Sequence, residues 1–157
     1  MTTTEILTLI VPVVSVGLTA LLTYLITTKS KKKDILYQNK IPAFKDVASQ
    51  IIMFKNFCTG RVAYLQGSEF AAFYEAGLGT LEYRTKIAET FEANSIFISK
   101  KNRDIVNQLL DNMSVLCNLE ASIALGNFDF DPVSEYNRMQ LMSGNVVELL
   151  YKELNLE

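Results

Sequence analysis

From Ile6 to Thr28 the chain runs 23 residues without a charge. As an α-helix such a run is about 34 Å long, enough to cross a hydrocarbon core of about 30 Å. Glu5 closes it on one side, and Lys29, Lys31, Lys32 and Lys33 close it on the other. A cleaved signal peptide carries its basic residues before a shorter apolar stretch and ends in a small-residue cleavage site. Here the lysines follow the run. The core of a soluble domain seldom needs so long an uncharged helix. The expected organisation is therefore a transmembrane anchor with a basic juxtamembrane segment in residues 1–33, and a cytosolic domain in 34–157.

The lysines also set the expected orientation. Basic residues hold their side of a span in the cytosol, so Met1–Glu5 would lie outside and the C-terminal domain inside. Each lysine near an anionic surface adds about 1 kcal/mol of attraction, which makes Lys29, Lys31, Lys32 and Lys33 candidate lipid-headgroup contacts. Thr8, Pro12, Ser15, Thr19 and Thr23 share an arc of about 80° on the run. Small and hydroxylated residues allow close, hydrogen-bonded helix contacts in lipid. This stripe is the expected self-association face, and a homo-oligomer the expected state.

Charge is segregated beneath a net value of −2. Residues 1–61 carry eight Lys/Arg against three acids, and residues 62–157 carry seven against fourteen. The basic half adjoins the expected membrane surface, and the acidic half should point away from anionic lipid. Cys58 and Cys117 fall within apolar helical patterns, and their separation fits no metal-ligand spacing. They read as buried, reduced thiols, in keeping with a reducing compartment.

The remainder reads as helix. Asp34–Lys40 prolongs the anchor, and Pro42 disfavours helix at Ile41, so a break or kink is expected there. An amphipathic helix from Pro42 to about Gln66 places Phe44, Val47, Ala48, Ile51, Ile52, Phe54, Cys58, Val62 and Leu65 on one face. Gly67-Ser68 stops it, with Ser68 capping a short helix through Tyr74. Gly77-Leu78-Gly79-Thr80 is a loop, with Thr80 as the cap of a helix from Leu81 to about Ala93. Ile96-Phe97-Ile98 is an apolar connector. Ser99 caps the strongest pattern, Lys100 to about Leu125, which Gly126 stops. Asp131-Pro132 opens the last helix, which runs to about Leu154. No alternating run is long enough for a sheet. The fold class is all-α, one N-terminal transmembrane helix followed by an antiparallel bundle of about four helices.

The span, Lys29–Lys33, the segment Leu36-Tyr37-Gln38-Asn39-Lys40-Ile41-Pro42-Ala43-Phe44 and the segment Asn94-Ser95-Ile96-Phe97-Ile98-Ser99 carry a resemblance. Together they resemble a loosely defined group of small bacterial membrane proteins in which one N-terminal span precedes lysines or arginines and a helical bundle. The resemblance implies a bacterial or phage setting, and with the orientation above the expected location is the bacterial inner (cytoplasmic) membrane. The resemblance brings no established activity and no functional residues.

Catalytic chemistry is sparsely represented. The chain has no histidine, so the usual general base and the imidazole of a carboxylate di-metal site are missing. Glu89 and Glu92 read as a solvated face, and Asp129 and Asp131 supply too few oxygens for a calcium loop. No catalytic residue, metal or cofactor is expected, nor direct DNA binding. Lys100, Lys101 and Arg103 crowd a helix start where the dipole disfavours cations and free N–H groups suit an anion. With Ser95 and Ser99 they form a candidate site for a phosphate-bearing signal, such as a nucleotide, or for an acidic partner. The expected function is a membrane-tethered, non-enzymatic interaction or sensor protein with a cytosolic protein partner. The alternative is a membrane-disrupting effector of bacterial antiviral defence, triggered when the bundle senses a phosphate-bearing signal.

Overall fold

A computed structural model describes residues 3–68, 79–126 and 131–154, without the side chains of 3–17, 32, 35 and 36. Helix α1 spans Thr3–Leu65, α2 Thr80–Asn94, α3 Lys100–Ala124 and α4 Pro132–Glu153, with a single 3-10 turn at Ser95–Phe97. Among the described residues there is no strand, and the fold is an all-α bundle. The chain divides into two compact units, Met1–Asn39 and Lys40–Glu157.

In the first unit, Leu18, Leu21, Leu22, Tyr24, Leu25 and Ile26 are each half to two-thirds exposed. At 100° per residue they cover an arc of about 200°. Thr19, Thr23 and Thr27 lie on the remaining arc and are exposed as well. Among the described residues no helix is long and apolar enough to cross a membrane. Side chains are described only from Leu18 onward, so most of the uncharged run lies outside that statement.

The second unit is an up-down-up-down arrangement. Lys40, at the start of its part of α1, pairs with Glu153 at the end of α4, and Arg61, one turn before the end of α1, lies over the Tyr136 ring near the start of α4. Thr80 opens α2 beside Glu120 near the end of α3. Asn102 opens α3 beside Leu149 and Glu153. Consecutive helices are thus antiparallel, as short connections favour. All four contribute to one core, with Phe44, Ile51 and Phe54 from α1, Ile87 from α2, Leu109 and Met113 from α3, and Met139 and Leu150 from α4. An aromatic group binds α1 to its neighbours. Phe57 lies 4.9 Å from Tyr83 of α2 and meets Tyr136 of α4 edge-on at 6.2 Å. Such pairs add about 0.5–1.5 kcal/mol beyond the apolar area they bury.

Two expectations about helix ends need correction. Of the break or kink expected at Pro42, the break does not occur: the helix continues from Thr3 to Leu65. Pro42 is exposed, so water can reach the backbone around the lost bond. Packing secures both flanks, since Ala43, Phe44 and Val47 are buried and Lys40 lies over the Phe44 ring at 5.1 Å. The cap of α2 is Gly79 rather than Thr80. The Gly79 N–H donates to Glu82 Oε2 at 2.8 Å, and Thr80 is fully buried.

The other boundaries fall where the sequence sets them. Gly67, with φ +75°, ends α1: its N–H donates to the Tyr64 carbonyl and that of Ser68 to the Ala63 carbonyl. Ser99 and Asp131 cap α3 and α4. Within α3 the core stripe fades at its end, where Ala124 is exposed. The Ser68–Tyr74 helix, the Gly77–Leu78 part of the loop, and Asp129 with its flanking phenylalanines lie outside the described residues.

Ser143 of α4 is fully buried, and among the described residues its hydroxyl has no hydrogen-bond partner. A buried hydroxyl left unpaired costs about 1–3 kcal/mol. Ser143→Ala should therefore raise unfolding free energy by about 1 kcal/mol, helped by the better helix propensity of alanine. Urea unfolding followed by circular dichroism should show a higher midpoint at unchanged slope.

Candidate functional site

Polar side chains gather at both ends of the bundle. At one end, one residue comes from each helix. Glu120 of α3 accepts from the Thr80 hydroxyl of α2 at 2.6 Å and from the Tyr136 hydroxyl of α4, both on Oε1. Arg61 of α1 lies 5.4 Å from the centre of the Tyr136 ring and 5.8 Å from that of Tyr64. Beside them Arg84 of α2 donates to Ser114 Oγ of α3 at 2.6 Å and to the Leu110 carbonyl. Burial pushes the Tyr136 hydroxyl well above its ordinary pKa, and donation to Glu120 adds to this, against the pull of Arg61. Burial, then the nearby Glu120 charge, raises both thiols, Cys58 strongly. The raised values favour the neutral phenol and thiols, and the hydrogen bonds of this end run from Thr80 and Tyr136 to Glu120. Cys58 is buried as the sequence suggests, whereas Cys117 is only partly so, and both are free.

At the other end the carboxylate of Glu153 is the hub. Its Oε1 takes the Ser99 N–H at 2.9 Å and pairs with Lys40 Nζ at 3.2 Å. Its Oε2 takes the Ser99 hydroxyl at 2.8 Å and Asn102 Nδ2 at 2.6 Å. The anion at the start of α3 is thus supplied by the chain itself, where the dipole and a free backbone N–H favour one. Burial of the carboxylate works against its charge, but the bonds from Ser99, Lys40 and Asn102 outweigh it, and the pKa falls below the ordinary value.

The residues singled out in the sequence fall around this hub in different ways. Ser99 is part of it. Ser95 turns to the Glu92 carbonyl at 3.0 Å. Lys100 and Lys101 are exposed, and Arg103 is half-buried. Lys29, Lys31 and Lys33 are exposed; Lys32 lies outside the described side chains, as do Thr8, Pro12 and Ser15 of the hydroxyl stripe. Glu89 and Glu92 are exposed. Among the described residues no cluster of acids and cysteines is placed to hold a metal.

Sequence reasoning passed over Arg61, Glu120 and Glu153. Two of them carried a signal. Glu120 continues the 4-3-4 spacing of Leu109, Met113 and Leu116, and Arg61 shares a face with Phe54, Phe57 and Cys58. A charge on an apolar stripe needs a partner. Nothing local marks Glu153, whose partners lie 51 and 54 residues away on α3. Comparison of the chain with protein-family models, curated proteins and solved structures finds no match.

Because the folded-state pKa of Glu153 is lowered, its contribution is present at neutral pH and is lost as pH falls below the ordinary glutamate range. Glu153→Gln should cost about 1–2 kcal/mol at pH 7, given a partly exposed site. The difference from the parent chain should shrink toward zero in acid. Urea unfolding across that pH range measures it.

Proposed function

We propose that this chain is a membrane-tethered, non-enzymatic interaction or sensor protein. Ile6–Thr28 spans a bacterial cytoplasmic membrane, the bundle lies in the cytosol, and the chain self-associates. The observation that carries this reading is the state of the anchor segment. Leu18, Leu21, Leu22, Tyr24, Leu25 and Ile26 hold large apolar side chains in the open over most of one helix circumference. An exposed apolar arc that wide, with only uncharged threonines opposite, suits a non-aqueous surrounding. The segment sits within 23 uncharged residues, long enough to span, and exposed lysines follow it.

The bundle supports a binding role over a catalytic one. Its most developed polar network gathers the Thr80 and Tyr136 hydroxyls on one carboxylate, Glu120, and the chain offers no imidazole. The effector alternative draws its sensing element from the start of α3, where Glu153 already engages Ser99 and Asn102. The tether with a cytosolic partner is therefore the preferred reading. Thr8, Pro12, Ser15, Thr19 and Thr23 are its proposed contact between anchors.

A cysteine placed at Thr2 should react with an impermeant thiol reagent added outside intact cells, and one at Glu157 only after lysis. The chain should stay with the membrane pellet after alkaline extraction. Release into the supernatant would overturn the tether, and reversed labelling would overturn the orientation.

A further inference from the structure

We propose that a hollow between α4 and Lys55 of α1 binds a free α-amino acid, held by its two opposite charges. The proposal rests on the sensor reading above only in giving that sensor a ligand class. The hollow holds about 380 Å³ and opens to solvent on one side. Ligand pockets run from about 300 to 1,000 Å³, so this one suits a molecule of few atoms.

The lining is polar, and its hydrogen-bonding capacity is unused. Lys55 of α1 and Glu148 of α4 bring opposite charges to one hollow. They do not pair with each other, and among the described residues neither side chain has an ion pair or a hydrogen bond. The carboxamides of Asn137, Gln140 and Asn145 line the same hollow and are equally unengaged. At the two ends of the bundle, by contrast, the polar side chains satisfy one another around Glu120 and Glu153. Lys55 is half-buried, and its ammonium lies beside Gly144, where a Cβ would stand 3.7 Å from Nζ. Gly144 sits inside α4, where glycine is costly to a helix. It has no positive φ to justify it, and a methyl group there would meet ordinary contacts. What the missing side chain provides is an open approach to the Lys55 ammonium.

The charges select the ligand. A plain anion on Lys55 would be opposed by Glu148, and a plain cation on Glu148 would be opposed by Lys55. An α-amino acid carries an anion and a cation on one carbon and meets both. Glu148 follows Gly144 by one helical turn, about 6 Å along the axis, and helical side chains lean back toward the helix start. The ligand carboxylate accepts from Lys55, and the ligand ammonium donates to Glu148. Asn145, beside Glu148, offers the ammonium a further acceptor. Gln140 and Asn137, one and two turns before Gly144, offer donors and acceptors to the ligand side chain.

The test is isothermal titration calorimetry on the full chain in detergent, with each common L-amino acid as probe. At least one is expected to bind with a Kd of about 0.1–1 mM, within reach of so few atoms. Acetate, methylamine and the N-acetylated amide of that amino acid each lack one or both charges, and should bind about tenfold more weakly or worse. Lys55→Met and Glu148→Gln should each weaken binding about tenfold, the loss of one charge-assisted hydrogen bond. Lys55→Arg should retain most of the affinity, and Lys86→Met, at an exposed lysine of α2, should bind as the parent does. Helicity is measured on every variant. Glu148 is exposed, so its variant decides the matter should Lys55→Met lose its fold. The absence of binding by every amino acid up to about 10 mM overturns the proposal, as does an affinity that Glu148→Gln leaves unchanged. Membrane retention is scored separately. A chain released by alkaline extraction that still binds the amino acid would refute the tether and leave this site standing.

Discussion

One helix presents two different surfaces. From Leu18 to Ile26, α1 exposes bulky apolar side chains over most of its circumference. From Ala43 to Cys58 the same helix is amphipathic and buries Phe44, Val47, Ile51, Phe54 and Phe57 against three other helices. The change falls at the junction of the two units, Asn39 and Lys40. Burial of apolar area is the dominant favourable term for the second stretch. The first stretch has no such burial among the described residues.

The bundle is closed at each end by a carboxylate. Glu120 gathers Thr80 and Tyr136, with Arg61 against the Tyr136 ring, and so involves all four helices. Glu153 gathers Lys40, Ser99 and Asn102 from α1 and from the start of α3. Between them the core is apolar apart from Ser143 and a few edge groups. Apolar packing alone tolerates many registers. A buried polar hub tolerates few, because each lost partner leaves a desolvated group behind. The two hubs therefore fix which helix ends meet, and the aromatic contacts of Phe57 with Tyr83 and Tyr136 set how α1 approaches α2 and α4.

Much of this architecture is legible from periodicity and caps. Ser99, Asp131-Pro132, Gly67 and Gly126 mark ends that the chain uses, because each solves a local backbone problem of its own. Pro42 does not end the helix, because the local cost of proline is smaller than what packing on both sides of it supplies. Thr80 misled because its hydroxyl had a distant partner, Glu120, and left the capping position to Gly79. The basic start of α3 was legible as a place for an anion. That the anion is Glu153 was not, since the contact joins chain segments more than fifty residues apart. Arg61 and Glu120 were readable in principle, as charges set within apolar stripes.

The chain contains no tryptophan, so a single one reports its own surroundings without background. Two variants placed in vesicles, Leu22→Trp and Tyr64→Trp, compare the two stretches of α1 directly. The account predicts short-wavelength emission and strong quenching by brominated acyl chains for Leu22→Trp, and no such quenching for Tyr64→Trp. Emission from Leu22→Trp that is water-like and indifferent to brominated lipid would contradict the claim that this stretch lies in the bilayer.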